Sequence, residues 1–221
     1  MTRRRVVAAV IAGALALGGL VACDSHPAVA AYVGDTTYTV AEVEEIFEDL
    51  VSRQPETTVT RQQIVETLVI GQLVRSLATE QGVQLREVTV DDIAVGENVP
   101  ADSRYAEIRA ETATYMYSWS GQVEVRPLTE EQMREVHQAA IDAGVEWADY
   151  PFEELEPILG GEQVAQAVAL REALVGEAER VGVTVNPRYA PVQHALLHFA
   201  GGAPAVVVTL GEPADAVDND G

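Results

Sequence analysis

Apolar residues recur along most of the chain at the three- to four-residue spacing of an amphipathic α-helix. Between Val40 and Val51 this spacing places the apolar side chains on one helix face. Thr39-Val40-Ala41-Glu42 has the order of a capping box, in which the Thr and Glu side chains hydrogen-bond the free amides at a helix start. The pattern therefore predicts a helix that begins at Thr39 and ends before Pro55.

Six further helices are predicted from the same periodicity and from their start and stop signals. Thr60 and Thr129 each open another capping box, and Gly82 and Gly144 end those two helices. The apolar residues of the helix after Thr60 are spread around most of its circumference, which is typical of a helix at the centre of a core. The other four helices are predicted from Thr89 to Asn98, at 103–119, at 151–159 and at 162–181.

Short strands are predicted at both ends of this helical region. Val29–Val33 and Thr36–Thr39 flank the turn residues Gly34-Asp35, which is typical of a β-hairpin. Val183–Val185 follows the last helix and is strand-like. The predicted fold is therefore mainly α, with a minor N-terminal β-hairpin and a short C-terminal strand.

The periodicity is lost after residue 190. Residues 191–221 contain Gly, Pro and Asp with a single apolar run at Val206–Leu210, and we expect them to form a flexible C-terminal tail. The helical domain is accordingly predicted to span residues 29–190.

The N-terminus has the layout of a bacterial export signal. Three arginines at residues 3–5 precede the uncharged apolar run Val6–Leu20. Leu20-Val21-Ala22-Cys23 then resembles the lipobox of bacterial lipoproteins, in which a small residue lets a peptidase cut before the cysteine. In that family the cysteine receives a diacylglycerol thioether and becomes the new N-terminus. The resemblance implies a protein that is lipid-anchored to the cell membrane, outside the cytoplasm.

We therefore expect residues 1–22 to be a signal peptide and residues 23–28 to be a lipidated tether, with Cys23 as the lipidation site. The residues leave two alternatives open. Ala28-Val29-Ala30 suits ordinary secretory cleavage, and an uncleaved membrane helix is disfavoured because the apolar run is shorter than the usual ~20 residues. Cys23 is the single cysteine of the chain, so an exported domain has no internal disulfide and depends on its hydrophobic core.

The chain is strongly acidic, which excludes several kinds of partner. Its formal net charge is -21, and loss of the three N-terminal arginines with the signal would leave 11 Arg against 35 Asp and Glu, a charge of -24. Such a surface repels nucleic acid and anionic lipid headgroups. We therefore expect no nucleic-acid partner, and contact with the membrane through the lipid anchor only.

Several short motifs occur in an order that is typical of one family. Ala31-Tyr32-Val33-Gly34-Asp35 leads into the helix after Thr39, and Glu80-Gln81-Gly82-Val83 ends the helical hairpin that follows. The last long helix closes on Val183-Thr184-Val185-Asn186-Pro187-Arg188-Tyr189. This order resembles the SurA-like N-terminal module of actinobacterial lipoproteins, in which V-x-V-N-P-R-Y recurs at the same place. Ala190 departs from the family, which usually has glycine there.

The resemblance spans residues 29–189 and implies a helical cradle that holds unfolded or partly folded exported proteins without a cofactor. Many relatives carry a parvulin prolyl-isomerase domain between the two halves of the module. Residues 121–160 are only forty in number and have a helical pattern, so a parvulin domain does not fit and we expect holding without isomerisation. The alternative is a binding or assembly module that uses the same scaffold for a single protein partner.

No set of residues in the sequence predicts an enzyme or a metal site. His194 and His198 are four residues apart, the spacing of two ligands on one helix face, but the glutamate of an H-E-x-x-H motif is missing. Acidic neighbours such as Glu44 and Glu45 fall mostly on solvated helix faces and have no Ser/His or Cys/His partner set. We therefore expect two surface histidines, no metal and no catalytic activity.

The candidates for contact with a client chain are Met116, Tyr117, Trp147, Tyr150 and Phe152. Met116 shares a helical stripe with Tyr115 and Trp119, which favours a core position, although its flexible side chain also suits adaptable binding. Tyr117 lies off that stripe and is the better contact candidate. The other three occur where relatives carry the isomerase, and they either cap the core or form an exposed rim.

Replacement of Cys23 by Ser is expected to release the protein from membranes, because a serine oxygen cannot take the thioether-linked lipid. The measurement is membrane fractionation together with the intact mass of the N-terminus. Ser25→Ala serves as the matched control and should stay in the membrane fraction. A Cys23→Ser variant that remains membrane-bound with an uncleaved N-terminus would contradict lipidation at this residue.

Overall fold

The structure is a computed structural model and describes residues 28–211. Over this range it is mainly helical, as predicted. The seven α-helices of the described residues are α1 Val40–Arg53, α2 Arg61–Glu80, α3 Val90–Glu97, α4 Arg104–Ser120, α5 Glu130–Asp142, α6 Phe152–Leu159 and α7 Glu162–Val181. The strands are β1 Val29–Val33, β2 Thr36–Thr39, β3 Val183–Val185, β4 Val192–His198 and β5 Pro204–Leu210, and a short 3-10 helix Glu146–Asp149 precedes α6. The predicted signal peptide and the lipidation site Cys23 lie outside the described residues.

The predicted threonine caps begin the helices. The Thr39 hydroxyl accepts the Glu42 N–H at 3.1 Å at the start of α1. Thr60 and Thr129 each form a reciprocal capping box, with Gln63 and Gln132 respectively. Thr89 forms the same arrangement with Asp92 at the start of α3. These local bonds satisfy amides that have no partner within the helix, so the starts of four helices are set by residues next to one another in sequence.

Helix α2 lies at the centre of the fold. It packs against α1, α4, α7, β1 and β4, which explains why its apolar residues surround most of its circumference. It lies against α4 at Gly71, where an added Cβ would lie 2.6 Å from the Thr112 Oγ1 atom. Glycine at this position therefore lets the two helix backbones pack more closely than any side chain would allow.

A three-stranded antiparallel sheet joins the beginning of the domain to the end of α7. Strand β1 lies between β2 and β3. Asn186, from the V-x-V-N-P-R-Y motif, follows β3 and donates its side-chain amide to the Val29 carbonyl at 2.8 Å. Its backbone N–H donates to the Ala30 carbonyl at 2.9 Å, and its Oδ1 accepts the Arg188 N–H at 3.0 Å. The motif thus fastens β1 to the segment that follows α7.

The prediction of a flexible tail at 191–221 is wrong for residues 192–210. Strands β4 and β5 form an antiparallel pair, and β5 buries Val206, Val208 and Leu210 on one face. The apolar run of β5 was too short and too uniform to reveal its two-residue period, because its outward-facing positions are also apolar or Thr. The domain therefore continues to Gly211, and residues 212–221 lie outside the described range.

The buried residues form two hydrophobic clusters. The main core joins the first sheet, α1 to α4, the second half of α7 and the ends of β4 and β5. A second cluster contains Met133, Val136, Leu155, Leu159, Ala167, Val168 and Val206. Helix α7 and strand β5 contribute to both clusters, so they connect α5 and α6 to the rest of the molecule. No helix within residues 28–211 is long and apolar enough to span a membrane.

One carboxylate is buried in the domain and is fully paired. The side chain of Glu177 on α7 is 2% exposed and accepts two hydrogen bonds from Arg180, each of 2.7 Å. Burial alone would raise the pKa of Glu177, but the hydrogen bonds from Arg180 and Ser76 and the positive charge of Arg180 outweigh it and hold the pKa below its ordinary value.

Gly71→Ala is expected to lower the free energy of unfolding by about 1–3 kcal/mol, because the new methyl group overlaps the Thr112 hydroxyl at a helix crossing. The measurement is urea unfolding followed by circular dichroism. Gly176→Ala is the matched control, since that glycine also lies within a long helix and an added Cβ meets nothing within 4 Å. The control should be stabilised by about 0.5–1 kcal/mol, and Thr112→Ala should relieve part of the Gly71→Ala loss. Equal effects of the two glycine substitutions would contradict the tight crossing.

Glu177→Gln is expected to destabilise the protein by about 1–3 kcal/mol at neutral pH, where the charged hydrogen bonds are present. The folded pKa is lowered, so the stabilisation is complete above the unfolded pKa of about 4.3 and is lost as the pH falls through the folded value. The difference between wild type and variant should therefore shrink in acid, measured by urea unfolding at neutral and acidic pH. Glu179→Gln, an exposed neighbour, should show little effect at either pH. A difference that does not change with pH would contradict the assignment.

Candidate functional site

A groove of about 650 Å³ lies beside α7. One wall is the segment 122–129, which connects α4 to α5, and the other is the side of α7 that carries Ala165, Ala169 and Ala173. The end of α4 contributes Trp119, and the end of α2 contributes Gln81. The groove therefore lies where four elements meet, between the main core and the second cluster. We refer to it below as the α7 groove.

The α7 wall of the groove is made largely of small side chains. Ala165, Ala169 and Ala173 are four residues apart, so they follow one side of the helix, and Val168 and Glu172 complete the wall. The Gln166 side chain donates to the Ser120 carbonyl at 2.7 Å and holds the end of α4 against α7. The wall is thus smooth, and its position relative to α4 is defined by a direct hydrogen bond.

The opposite wall offers unpaired main-chain groups. Residues 124–129 have no regular secondary structure. The carbonyls of residues 123–128 and the N–H groups of all of them except Pro127, which has none, make no hydrogen bond among the described residues. Val123 packs against the main core and Leu128 against the second cluster. The segment is therefore held at both ends by apolar contacts, while the groups between them are free to bind a polar partner.

The mouth of the groove carries both signs of charge. Glu124 and Arg126 form an exposed ion pair of 3.1 Å, and the hydrogen bond from Arg126 lowers the pKa of Glu124 below its ordinary value. Glu172 accepts a hydrogen bond of 2.6 Å from Gln132 across the mouth. These contacts satisfy the charged side chains within the protein, which leaves the apolar walls and the free backbone of 123–128 as the available binding groups.

Trp119 lies beneath the groove and is fully buried. Its indole N–H has no hydrogen-bond partner among the described residues. A buried, unpaired donor of this kind costs about 1–3 kcal/mol of stability. The contribution of Trp119 is therefore its large buried apolar surface at the junction of α4 with the groove. None of the residues that line the groove forms a nucleophile-and-base pair.

The five predicted contact residues do not come together at one site, and none lines the α7 groove. Met116 is half-buried against the main core, whereas the adjacent Tyr117 is 67% exposed. Trp147 and Phe152 pack against the second cluster, where Trp147 meets the Phe199 ring edge-on at 5.6 Å. Tyr150 lies between them and is 58% exposed. The half-buried Trp147 and Phe152 therefore contribute to packing, and Tyr117 and Tyr150 are exposed on separate parts of the surface.

The two C-terminal histidines lie on strand β4, so the predicted helical spacing is wrong. His194 is half-buried, and its Nδ1 atom lies 2.7 Å from the Glu66 Oε1 atom on α2. His198 is exposed at the end of the strand. Among residues 28–211 no three His, Cys, Asp or Glu side chains lie close enough to hold one metal ion. The structure thus places His194 in a contact that joins the C-terminal hairpin to the central helix.

Comparison of this chain with protein-family models, curated proteins and solved structures finds no match. The resemblance to SurA-like modules therefore depends on the motifs within the chain. Of these motifs, V-x-V-N-P-R-Y has a clear structural role, because Asn186 binds the backbone of β1. The α7 groove was not predicted from the sequence. The sequence feature that could have indicated the groove is the non-helical stretch Gln122-Val123-Glu124-Val125-Arg126-Pro127-Leu128. It alternates polar and apolar residues although it belongs to no predicted element.

Proposed function

We propose that this protein is a lipid-anchored extracytoplasmic chaperone of the SurA-like type, and that its α7 groove holds unfolded segments of exported proteins. The observation that carries the proposal is the pairing of two walls across one cavity: free main-chain groups at 123–128 and small side chains on α7. An unfolded chain offers the complementary features, since it has free main-chain groups and exposed apolar side chains.

The groove favours binding that does not depend on one client sequence. Hydrogen bonds to the main chain of residues 123–128 would be available to any polypeptide, because every non-proline residue carries a donor and an acceptor. The alanines of the opposite wall leave room for client side chains of different sizes. A volume of about 650 Å³ lies within the ~300–1,000 Å³ typical of binding sites, which suits a short segment of client rather than a folded domain.

The middle of the chain supports holding without prolyl isomerisation. Residues 130–159 form α5, the 3-10 helix and α6, and their apolar residues share the second cluster with α7 and β5. They are therefore part of the domain's own packing. The α7 groove, between the segment 122–129 and α7, supplies surface for binding and requires no chemical step.

The expected location at the membrane and the expected net charge fit this activity. A lipid on Cys23 would keep the domain within a few residues of the bilayer, where exported chains emerge. The net charge of -24 expected for the processed chain opposes adhesion of the domain to anionic lipid headgroups. The anchored domain would consequently stay close to the membrane with its surface free.

Ala169→Trp is expected to fill the groove and weaken client holding. The assay follows light scattering as several unrelated denatured proteins are diluted into solution with the full lipid-anchored chain in nanodiscs of neutral lipid. The variant should need about tenfold more protein for the same delay of aggregation, a loss of ~1.4 kcal/mol of client binding. Ala41→Trp is the control, since Ala41 is an exposed alanine of α1 away from the groove, and it should behave as wild type.

Three results would overturn parts of the proposal. Equal losses in the two tryptophan variants would remove the groove from client binding. Failure of the wild type to delay aggregation of any client would exclude a general chaperone, and one co-purifying protein would then favour the module dedicated to a single partner. Acceleration of proline isomerisation in a test peptide would contradict holding without isomerisation.

A further inference from the structure

A second surface, away from the α7 groove, combines negative charge with exposed apolar side chains. It comprises the end of α5, the 3-10 helix and α6, and we refer to it as the acidic face. Its carboxylates are all exposed. They are Asp142, Glu146, Asp149, Glu153, Glu154 and Glu156.

Within the described part of the chain, the carboxylates of the acidic face have no ion-pair partner; the nearest arginine, Arg134 of α5, stacks over Phe152 at 4.2 Å and pairs with Glu130. No arginine or lysine occurs from residue 135 to residue 170, and none of the six carboxylates takes part in an ion pair among the described residues. Elsewhere on the described surface some carboxylates form ion pairs, whereas others, such as Glu45, Glu48 and Glu56, do not. Ten of its eleven arginines lie within 4.0 Å of a carboxylate, and Arg86 is the exception.

Large apolar side chains project among these charges. Tyr150 is 58% exposed and Ile158 on α6 is 62% exposed, while Ile141 at the end of α5 is 45% exposed. Three of the seven large apolar side chains that are exposed in the described residues thus lie within eighteen consecutive positions. Exposed apolar residues that are grouped and rimmed by polar ones mark interaction surfaces, whereas single ones are ordinary.

The acidic face is built on a packed base. Leu155 and Leu159 of α6 are buried in the second cluster, and Phe152 packs against the same cluster. The His137 ring lies 2.9 Å from the Ala148 carbonyl and connects α5 to the 3-10 helix. The face is therefore presented by residues whose positions are set by the core, so a partner would bind it without first ordering it.

The charge and its distribution restrict the partner. No three acidic or histidine side chains of the described residues converge on one metal position, so the charge is spread along the surface. Nucleic acid, anionic lipid and a second copy of this acidic chain would all be repelled. The remaining complement is a flexible chain with several separated positive charges.

We propose that the acidic face binds a basic polypeptide segment that carries apolar side chains between its lysines or arginines. The positive charges pair with the exposed carboxylates, and the apolar side chains cover Tyr150 and Ile158. Charge complementarity of this kind raises the association rate and makes the affinity dependent on salt. This interaction is separate from the α7 groove, which is lined by α7 and the segment 122–129.

The test measures fluorescence anisotropy of a labelled peptide that repeats Arg-Ser-Leu four times, titrated with the full lipid-anchored chain in nanodiscs of neutral lipid. Tyr150→Ser combined with Ile158→Ser should weaken binding about tenfold. Glu153→Gln, Glu154→Gln and Glu156→Gln together should weaken it by a similar factor and reduce its salt dependence. A peptide that repeats Arg-Ser-Ser should bind more weakly than the leucine-containing peptide, and one that repeats Glu-Ser-Leu should show none of the salt-dependent binding.

Matched controls separate the acidic face from the general charge of the protein. Glu45→Gln, Glu48→Gln and Glu56→Gln remove three exposed carboxylates elsewhere, and Val95→Ser removes a side chain that is 86% exposed. These variants should change the affinity less than twofold, and Ala169→Trp should leave the salt-dependent part of the binding unchanged. Equal losses in the controls, equal binding of the leucine-free peptide, or loss of the salt-dependent binding in Ala169→Trp would each overturn the proposal. Unchanged thermal melting of each variant confirms that the comparison is between folded proteins.

Discussion

The contact of one helix with two hydrophobic clusters holds this molecule together. Helix α7 contributes Val168 to the second cluster and Leu174 to the main core. Strand β5 repeats the arrangement with Val206 and Val208, and it packs along α7. Without this shared helix, α5 and α6 would have too little apolar surface to remain folded by themselves. The α7 groove exists because the two clusters meet along the same helix and leave a gap between them.

The central crossing of α2 with α4 sets the position of α4 in the fold. At Gly71 the two backbones approach so closely that the Thr112 hydroxyl occupies the place of a side chain. The end of α4 then reaches α7, where Gln166 binds the Ser120 carbonyl. Trp119 forms the floor of the groove. Its position is consequently defined by contacts that run from the central helix outward.

Local rules predicted the helices well, because most of their starts are set by neighbouring residues. Thr60 and Gln63, or Thr129 and Gln132, specify a helix start whatever the rest of the chain does. The C-terminal hairpin was missed because the burial of Val208 is decided by a core formed by residues far away in sequence. The groove was missed for a related reason: its walls are α7 and the segment 122–129, and no local pattern brings them together. The exposed Tyr117 was anticipated from its position off the stripe, whereas Trp147 and Phe152 proved to be half-buried by tertiary contacts.

The attachment of β1 has a mechanical consequence. A pull on the N-terminal side of the described residues would enter the domain at residues 28 and 29. There the Ala28 carbonyl accepts the Val40 N–H at 2.8 Å, and the Val29 carbonyl accepts the Asn186 side chain. One bond passes the load to the first helix, and the other passes it to the segment after the last helix. Such tension would therefore be shared between the two ends of the fold, and the first strand would not peel away alone.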